Sequence, residues 1–153
     1  MKGVSFFIFF FSVLFLFPFE QIKSQSDDLY KDGTVWTLTF VRTEANRTDD
    51  YLAGLAQTWV ATMEEAKKEG LIVSYKILAG NAANEDDFDL ILMIENKNLA
   101  SLDPDEKRDA AFDMIDKRVR DKMGDKYQST VNNYAEIRSL LGTKLMRELH
   151  LKK

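Results

Sequence analysis

The chain has 153 residues, 21 Lys and Arg against 25 Asp and Glu, a net charge of −4, one histidine and no cysteine. The acidic balance argues against a nucleic-acid surface. The lack of cysteine excludes a disulfide framework, a thiol nucleophile and a cysteine-ligated metal, so packing or oligomerisation must supply stability.

Lys2 precedes a nearly unbroken apolar run from Val4 to Phe19, followed by the polar, small-residue stretch Gln21 to Ser26. The run is shorter than the roughly 20 apolar residues that cross a bilayer core, and Pro18 interrupts it, so residues 1–26 read as a secretory signal peptide. Ser24 and Ser26 supply the small residues needed for cleavage before Asp27; cleavage after Ser24 and an uncleaved N-terminal anchor are the alternatives. The chain is then periplasmic or secreted, and touches a membrane only through this segment if it stays uncleaved. Phe6, Phe7, Phe9, Phe10, Phe11, Phe15, Phe17 and Phe19 leave with the signal, as do Lys2, Glu20 and Lys23, so the remainder carries one more net negative charge. About 127 residues remain, enough for one domain with one core.

Asp27 to Gly33 reads as a flexible leader ending in the turn-like Lys31-Asp32-Gly33. From Thr34 to Arg42 the sequence alternates as a strand, with Trp36, Leu38 and Phe40 on one face and Val35, Thr37, Thr39 and Val41 on the other. Thr48, followed by Asp49 and Asp50, reads as the cap of a first helix. Leu52, Leu55, Ala56, Trp59, Val60 and Met63 form its stripe and Gly70 its end. Leu71 to Ala79 is a second strand. A polar loop through Asp87 leads to a third from Phe88, with Phe88, Leu90, Leu92 and Ile94 on its apolar face; the loop length predicts antiparallel pairing of the two.

Asp103-Pro104-Asp105-Glu106 predicts a second helix, capped by Asp103 with Pro104 at its first position. Phe112, Ile115, Val119 and Met123 form its buried stripe and Gly124 its end. Tyr127 to Leu141 reads equally as irregular chain or a short third helix. Thr143 to Leu151 alternates as a strand, with Lys144, Met146, Glu148 and His150 on one side; helical spacing of Ile137, Leu140, Leu141, Leu145 and Leu149 is the alternative.

The order β-α-β-β-α-β predicts an α+β, ferredoxin-like domain over residues 34–153, an antiparallel sheet with both helices on one face. The other face would carry Val35, Val41, Ile91, Met93 and Met146 with Thr37, Thr39 and Glu95. It is too apolar for open solvent and too polar for a dry core, which predicts a second copy of the sheet across a two-fold axis, hence a homodimer.

In element order and length, Thr34 to Leu151 resembles the dimeric α/β-barrel superfamily, which includes the antibiotic-biosynthesis-monooxygenase-like proteins. The passage Lys68-Glu69-Gly70-Leu71 into Ser74-Tyr75-Lys76 is similar to the family's helix-Gly-strand joint. The resemblance implies a pocket inside the barrel or between sheet and helices, and activity on aromatic, haem-like or otherwise conjugated small molecules. It carries over no catalytic residue. The haem-degrading branch uses an Asn, a Trp and a His ligand, whereas here His150 lies in the last strand and Trp59 on a helical apolar stripe.

With strand order 4-1-3-2, and strands one and three taken as parallel, Asp89 and His150 fall at one end of the uncovered face and Glu95 and Lys144 at the other, each pair about 10 Å apart across an intervening strand. A carboxylate and a histidine facing one cavity could serve as base and orienting group, or hold a metal with further ligands. The ligand-pocket candidates are therefore Thr37, Thr39, Asp89, Met93, Glu95, Glu148 and His150. Glu85-Asp86-Asp87 with Asp89 lacks the regularity of a calcium loop and reads as a solvated acidic hairpin. Asn46-Arg47-Thr48 is a glycosylation sequon, meaningful only in a eukaryotic secretory pathway. No nucleophile elbow, phosphate loop or zinc motif is present, and neither cofactor nor metal is expected. The readings that stand are an exported small-molecule-binding dimer, a monooxygenase-like enzyme, and an interaction module docking through the uncovered face.

Overall fold

The structure is a computed structural model, which describes residues 29–152; the signal segment and the first residues of the expected leader lie outside the described residues. The chain is α+β. Its elements are β1 (Tyr30–Thr43), α1 (Thr48–Gln57), α2 (Trp59–Lys68), β2 (Ser74–Ala79), β3 (Leu90–Asn96), a 3-10 turn (Leu99–Leu102), α3 (Glu106–Met123), α4 (Lys126–Glu136) and β4 (Arg138–Leu151). Among the described residues, no helix is long and apolar enough to cross a membrane.

The four strands form one sheet in the order β2-β3-β1-β4. Every neighbouring pair is antiparallel, including β1 with β3, which corrects the expectation that those two run parallel. The helical crossover returns β2 in the same direction as β1, and β3, a hairpin partner of β2 inserted between them, must oppose both.

The helices cover one face of β1, β2 and β3, whereas β4 stays open on that side too, with Leu140 and Leu145 each 54% exposed. Val41, Leu90 and Leu92 pack with Tyr51, Leu55 and Ile137 at one end of this layer, while Met63, Ala66, Ile72 and Ile115 form a second buried cluster against Ile94 and Tyr75. Val41 and Ile115 are fully buried, each 0% exposed.

Local chemistry explains where the elements depart from the sequence pattern. β1 reaches back to Tyr30, so Lys31-Asp32-Gly33, expected as a turn, lies in the strand; Lys31 and Asp32 stand opposite His150 and Leu149 of β4. The first helix breaks at Thr58, whose hydroxyl donates to the Gly54 carbonyl (3.0 Å) while its backbone leaves the helical region (φ −115°, ψ −86°). A Thr hydroxyl competing for a carbonyl in the preceding turn is a known source of helix bending. Thr48 is the first helical residue rather than the cap, its hydroxyl engaged by that of Thr43 (2.7 Å). Asp105, not Asp103, caps α3, accepting from the Arg108 N–H (2.9 Å). Gly70 (φ 72°) and Gly124 (φ 58°) do end their helices in positive φ, which glycine adopts without steric penalty. The ambiguous stretch after Tyr127 resolves into α4, which runs directly into β4.

Candidate functional site: the open face of the sheet

Directly opposed residues of neighbouring strands point to the same side of a sheet. The pairing therefore arranges the face away from the helices in three levels across the strands: Ser74, Glu95, Trp36 and Met146; then Lys76, Met93, Leu38 and Lys144; then Leu78, Ile91, Phe40 and Gly142. Phe88 adds its ring to the third level, 4.8 Å from that of Phe40. Leu78 and Met146 are 48% and 54% exposed. Two ammonium groups lie over aromatic rings: Lys76 Nζ is 4.8 Å from the centre of Trp36, and Lys144 Nζ 5.6 Å from that of Phe40. Such cation–π contacts are worth about 0.5–1 kcal/mol at exposed positions.

This composition corrects the expected face of β1. Val35, Thr37, Thr39 and Val41 lie on the helix side, and Trp36, Leu38 and Phe40 take the open side. For β3 the expected faces hold for Leu90, Leu92, Met93 and Glu95, but the strand starts at Leu90, and Phe88, expected beside it on the core face, lies on the open side against Phe40. The open face is consequently more apolar than predicted.

One end of the face is acidic. The Thr34 hydroxyl lies 2.8 Å from Glu95 Oε1 and 3.2 Å from Glu148 Oε2, and the Ser74 hydroxyl donates to Glu95 Oε2. A hydroxyl has one proton, so Thr34 serves one carboxylate at a time. His150 Nε2 stands 3.9 Å from Glu148 in an exposed contact. Gly33 passes close beneath: a Cβ there would come within 2.8 Å of His150 Nε2 and 3.0 Å of Glu148 Cβ. Among the described residues, Lys76, Lys144 and Glu95 have no ion-pair partner.

Of the sequence candidates, Met93, Glu95 and Glu148 share this face. Thr37 and Thr39 do not: Thr37 accepts from Asn96 Nδ2 (3.1 Å) and Thr39 meets the Thr143 hydroxyl (3.4 Å), both on the helix side. Asp89 precedes β3 and accepts from the Thr43 N–H (3.0 Å) and hydroxyl (2.5 Å), tying β1 to the start of β3. The Asp89 N–H bonds the Val41 carbonyl, whereas His150 pairs with Lys31 at the other end of β1, roughly 30 Å away at the usual strand rise. The expected Asp89–His150 pair is therefore not assembled, because antiparallel β3 starts where β4 starts, not where it ends. Glu95 and Lys144 occupy adjacent levels. The acidic loop closes on itself, Asp87 accepting from the Ala83 N–H (2.8 Å) and the Asn84 and Asp87 carbonyls accepting from Arg42 (2.9 and 3.2 Å). Trp36, Phe40 and Lys76 were absent from the sequence candidates, although alternation in β1 had already grouped the first two.

On the helix side, a cleft of about 770 Å³ separates α2 from α3, floored by Ala61, Val119 and Met123. Of the charged side chains that line it, Lys68 pairs with Glu65 (2.7 Å) and Arg118 with Glu69. The hydrogen bond and charge of Lys68 hold the Glu65 carboxyl below its ordinary range. Burial pushes the Tyr51 phenol up to about 12, and Tyr75, shielded and bonded to Glu64, likewise to about 12. Both stay protonated at neutral pH, so neither phenol is poised as a base. Among the described residues, no group of three or more His, Asp or Glu is placed to hold a metal ion. Compared with protein-family models, curated proteins and solved structures, the chain matches none.

Proposed function

We propose that this chain is an exported, small-molecule-binding homodimer of the ferredoxin-like, dimeric α/β-barrel type, in which a second copy covers the open sheet face. The observation that carries the reading is that face itself: half-buried Trp36, Phe40, Ile91 and Met93 surround the buried Leu38, with Leu78 and Met146 exposed at its two edges, on the side of the sheet away from the helices. Apolar surface left partly open marks an interaction or ligand surface, and the strand order β2-β3-β1-β4 suits the proposed architecture. The ligand would lie between the two sheets, stacked against Trp36 and within reach of Lys76 and Lys144. An aromatic wall with ammonium groups beside it favours a planar, conjugated, acidic molecule.

Sedimentation of the purified chain with titration of haem and a conjugated quinone tests both parts. A two-chain mass and saturable quenching of tryptophan fluorescence that Trp36→Phe abolishes are expected. A monomer would transfer the face to a different protein partner, and a titration without spectral change would remove the ligand.

A further inference from the structure

The cleft between α2 and α3 lies on the side of the sheet away from the open face, and its walls have a chemistry of their own. Ala66 and Ile115, both 0% exposed, share the buried cluster that joins the two helices, and Arg118 pairs with Glu69 beside it. Away from this joint the walls are Ala56 and Ala61 on one side and Val119 and Met123 on the other. Alanine side chains are too short to close the gap. About 770 Å³ stays open, within the range of about 300–1,000 Å³ usual for small-molecule pockets.

The charges around this apolar floor are unequal. Lys68, Arg118, Lys122 and Lys126 line the cleft, with only Glu64 and Glu65 against them. Counting Glu69 beside its partner Arg118, four cations still meet three carboxylates, in a chain whose net charge is −4. The two lining carboxylates are engaged: Glu65 takes Lys68 (2.7 Å) and Glu64 accepts from the Tyr75 hydroxyl (2.5 Å). Lys122 and Lys126 have no ion-pair partner among the described residues. Long lysine stems lie along apolar surface while their ammonium groups stay in water, which places two free cations at the rim of an apolar floor.

An inorganic anion would answer the ammonium groups and leave the floor in water, and a neutral hydrocarbon would do the reverse. A cation would be repelled. An anionic head on an apolar chain satisfies both parts. We infer that the cleft binds a single-chain amphiphilic carboxylate of the fatty-acid class, its head between Lys122 and Lys126 and its chain along Ala61, Val119 and Met123. This site is separate from the open sheet face and needs no second copy of the chain.

Methionine-methyl NMR of the purified chain, titrated with decanoate, reads the two sides of the molecule separately. Met123 lines the cleft, whereas Met93 and Met146 lie on the open face. A saturable shift of the Met123 methyl with Met93 and Met146 unmoved is expected. Shifts confined to Met93 and Met146, or no shift at all, would overturn the inference. Decanol and decyltrimethylammonium, of the same chain length, are expected to bind about tenfold or more weakly; decanol binding as tightly as decanoate would remove the lysines from the site and overturn it.

Lys122→Glu/Lys126→Glu, at two exposed positions, is expected to raise the decanoate dissociation constant by about tenfold or more. Lys107→Glu makes the same kind of charge change about 22 Å from Lys122 along α3, at the rise of an α-helix, and leaves the constant within about twofold. An equal loss in Lys107→Glu would assign the effect to net charge and overturn the inference. Phosphatidylglycerol vesicles test the other source of an anionic head on apolar chains. A chain that sediments with the vesicles and leaves decanoate unbound would assign the lysines to a membrane surface, which overturns the fatty-acid site.

Discussion

Asp89 offers the sharpest test of how the fold assigns roles, because sequence alternation suggests a ligand group and the structure makes it a structural tie. Its carboxylate takes the Thr43 N–H at 3.0 and 3.2 Å and the Thr43 hydroxyl at 2.5 Å, and that hydroxyl contacts Thr48 at the start of α1. Thr43 is 4% exposed, so water cannot readily replace the carboxylate. Removing it by Asp89→Ala leaves the buried Thr43 N–H without its acceptor and the hydroxyl with only that of Thr48 to bond. Hydrogen bonds to a charged acceptor are worth about 1.5–3 kcal/mol, and an orphaned buried donor costs about 1–3 kcal/mol. The two interactions share one acceptor and are not additive, so the expected loss is about 2–4 kcal/mol. In a domain of this size that lowers the melting temperature by roughly 8–15 °C. Urea titration of the wild type, Asp89→Ala, Thr43→Val and the double variant gives the energies and their coupling. A coupling above about 1 kcal/mol is expected. Full stability in Asp89→Ala, with loss only of ligand binding, would refute the structural role.

The close α1–α4 crossing makes Gly54→Ala destabilising by about 1–3 kcal/mol despite the better helix propensity of Ala, since its Cβ would fall 2.8 Å from the Tyr134 ring; a melting temperature above that of wild type would contradict this. Ile115→Ala, at a position with no solvent exposure in the second core cluster, is expected to cost about 3–4 kcal/mol by urea titration. Stability should also fall at alkaline pH. The Tyr51 phenol is raised to about 12 in the fold against an ordinary 10, so below pH 10 it contributes no pH dependence, and between 10 and 12 the unfolded chain sheds the proton more readily. Tyr51→Phe should flatten the decline measured between those pH values, and an unaltered slope would assign it to other groups.

Periodicity in β3 revealed its core face because Leu90 and Leu92 outweigh their neighbours on the other side in burial. In β1 the same rule names two faces and not which one is covered. The helix layer brings bulky side chains of its own, Tyr51, Leu55, Trp59 and Met63, and beneath them the close-packed interior has room for Val and Thr rather than Trp and Phe. The larger residues consequently face outward, where a reading based on hydrophobicity alone places the smaller ones. The split of the first helix was hidden because Thr58 lies within an otherwise continuous apolar stripe, and its effect comes from a side-chain bond to Gly54. The α4 segment carries a narrow stripe of Tyr127, Val131 and Tyr134 at helical spacing, half-buried in the fold, with no fully buried residue. At the site, Glu95, Met93 and Glu148 were legible from alternation. Their neighbours Trp36 and Lys76 required the register, which is a long-range property of strand pairing.

The solution mass of the chain tests most directly whether a second copy covers the open sheet face. Sedimentation equilibrium at micromolar concentration is predicted to return the mass of two chains, and Trp36→Asp, which adds a carboxylate beside Glu95 on that face, to return that of one. A wild-type chain that sediments as a single copy would contradict the homodimer.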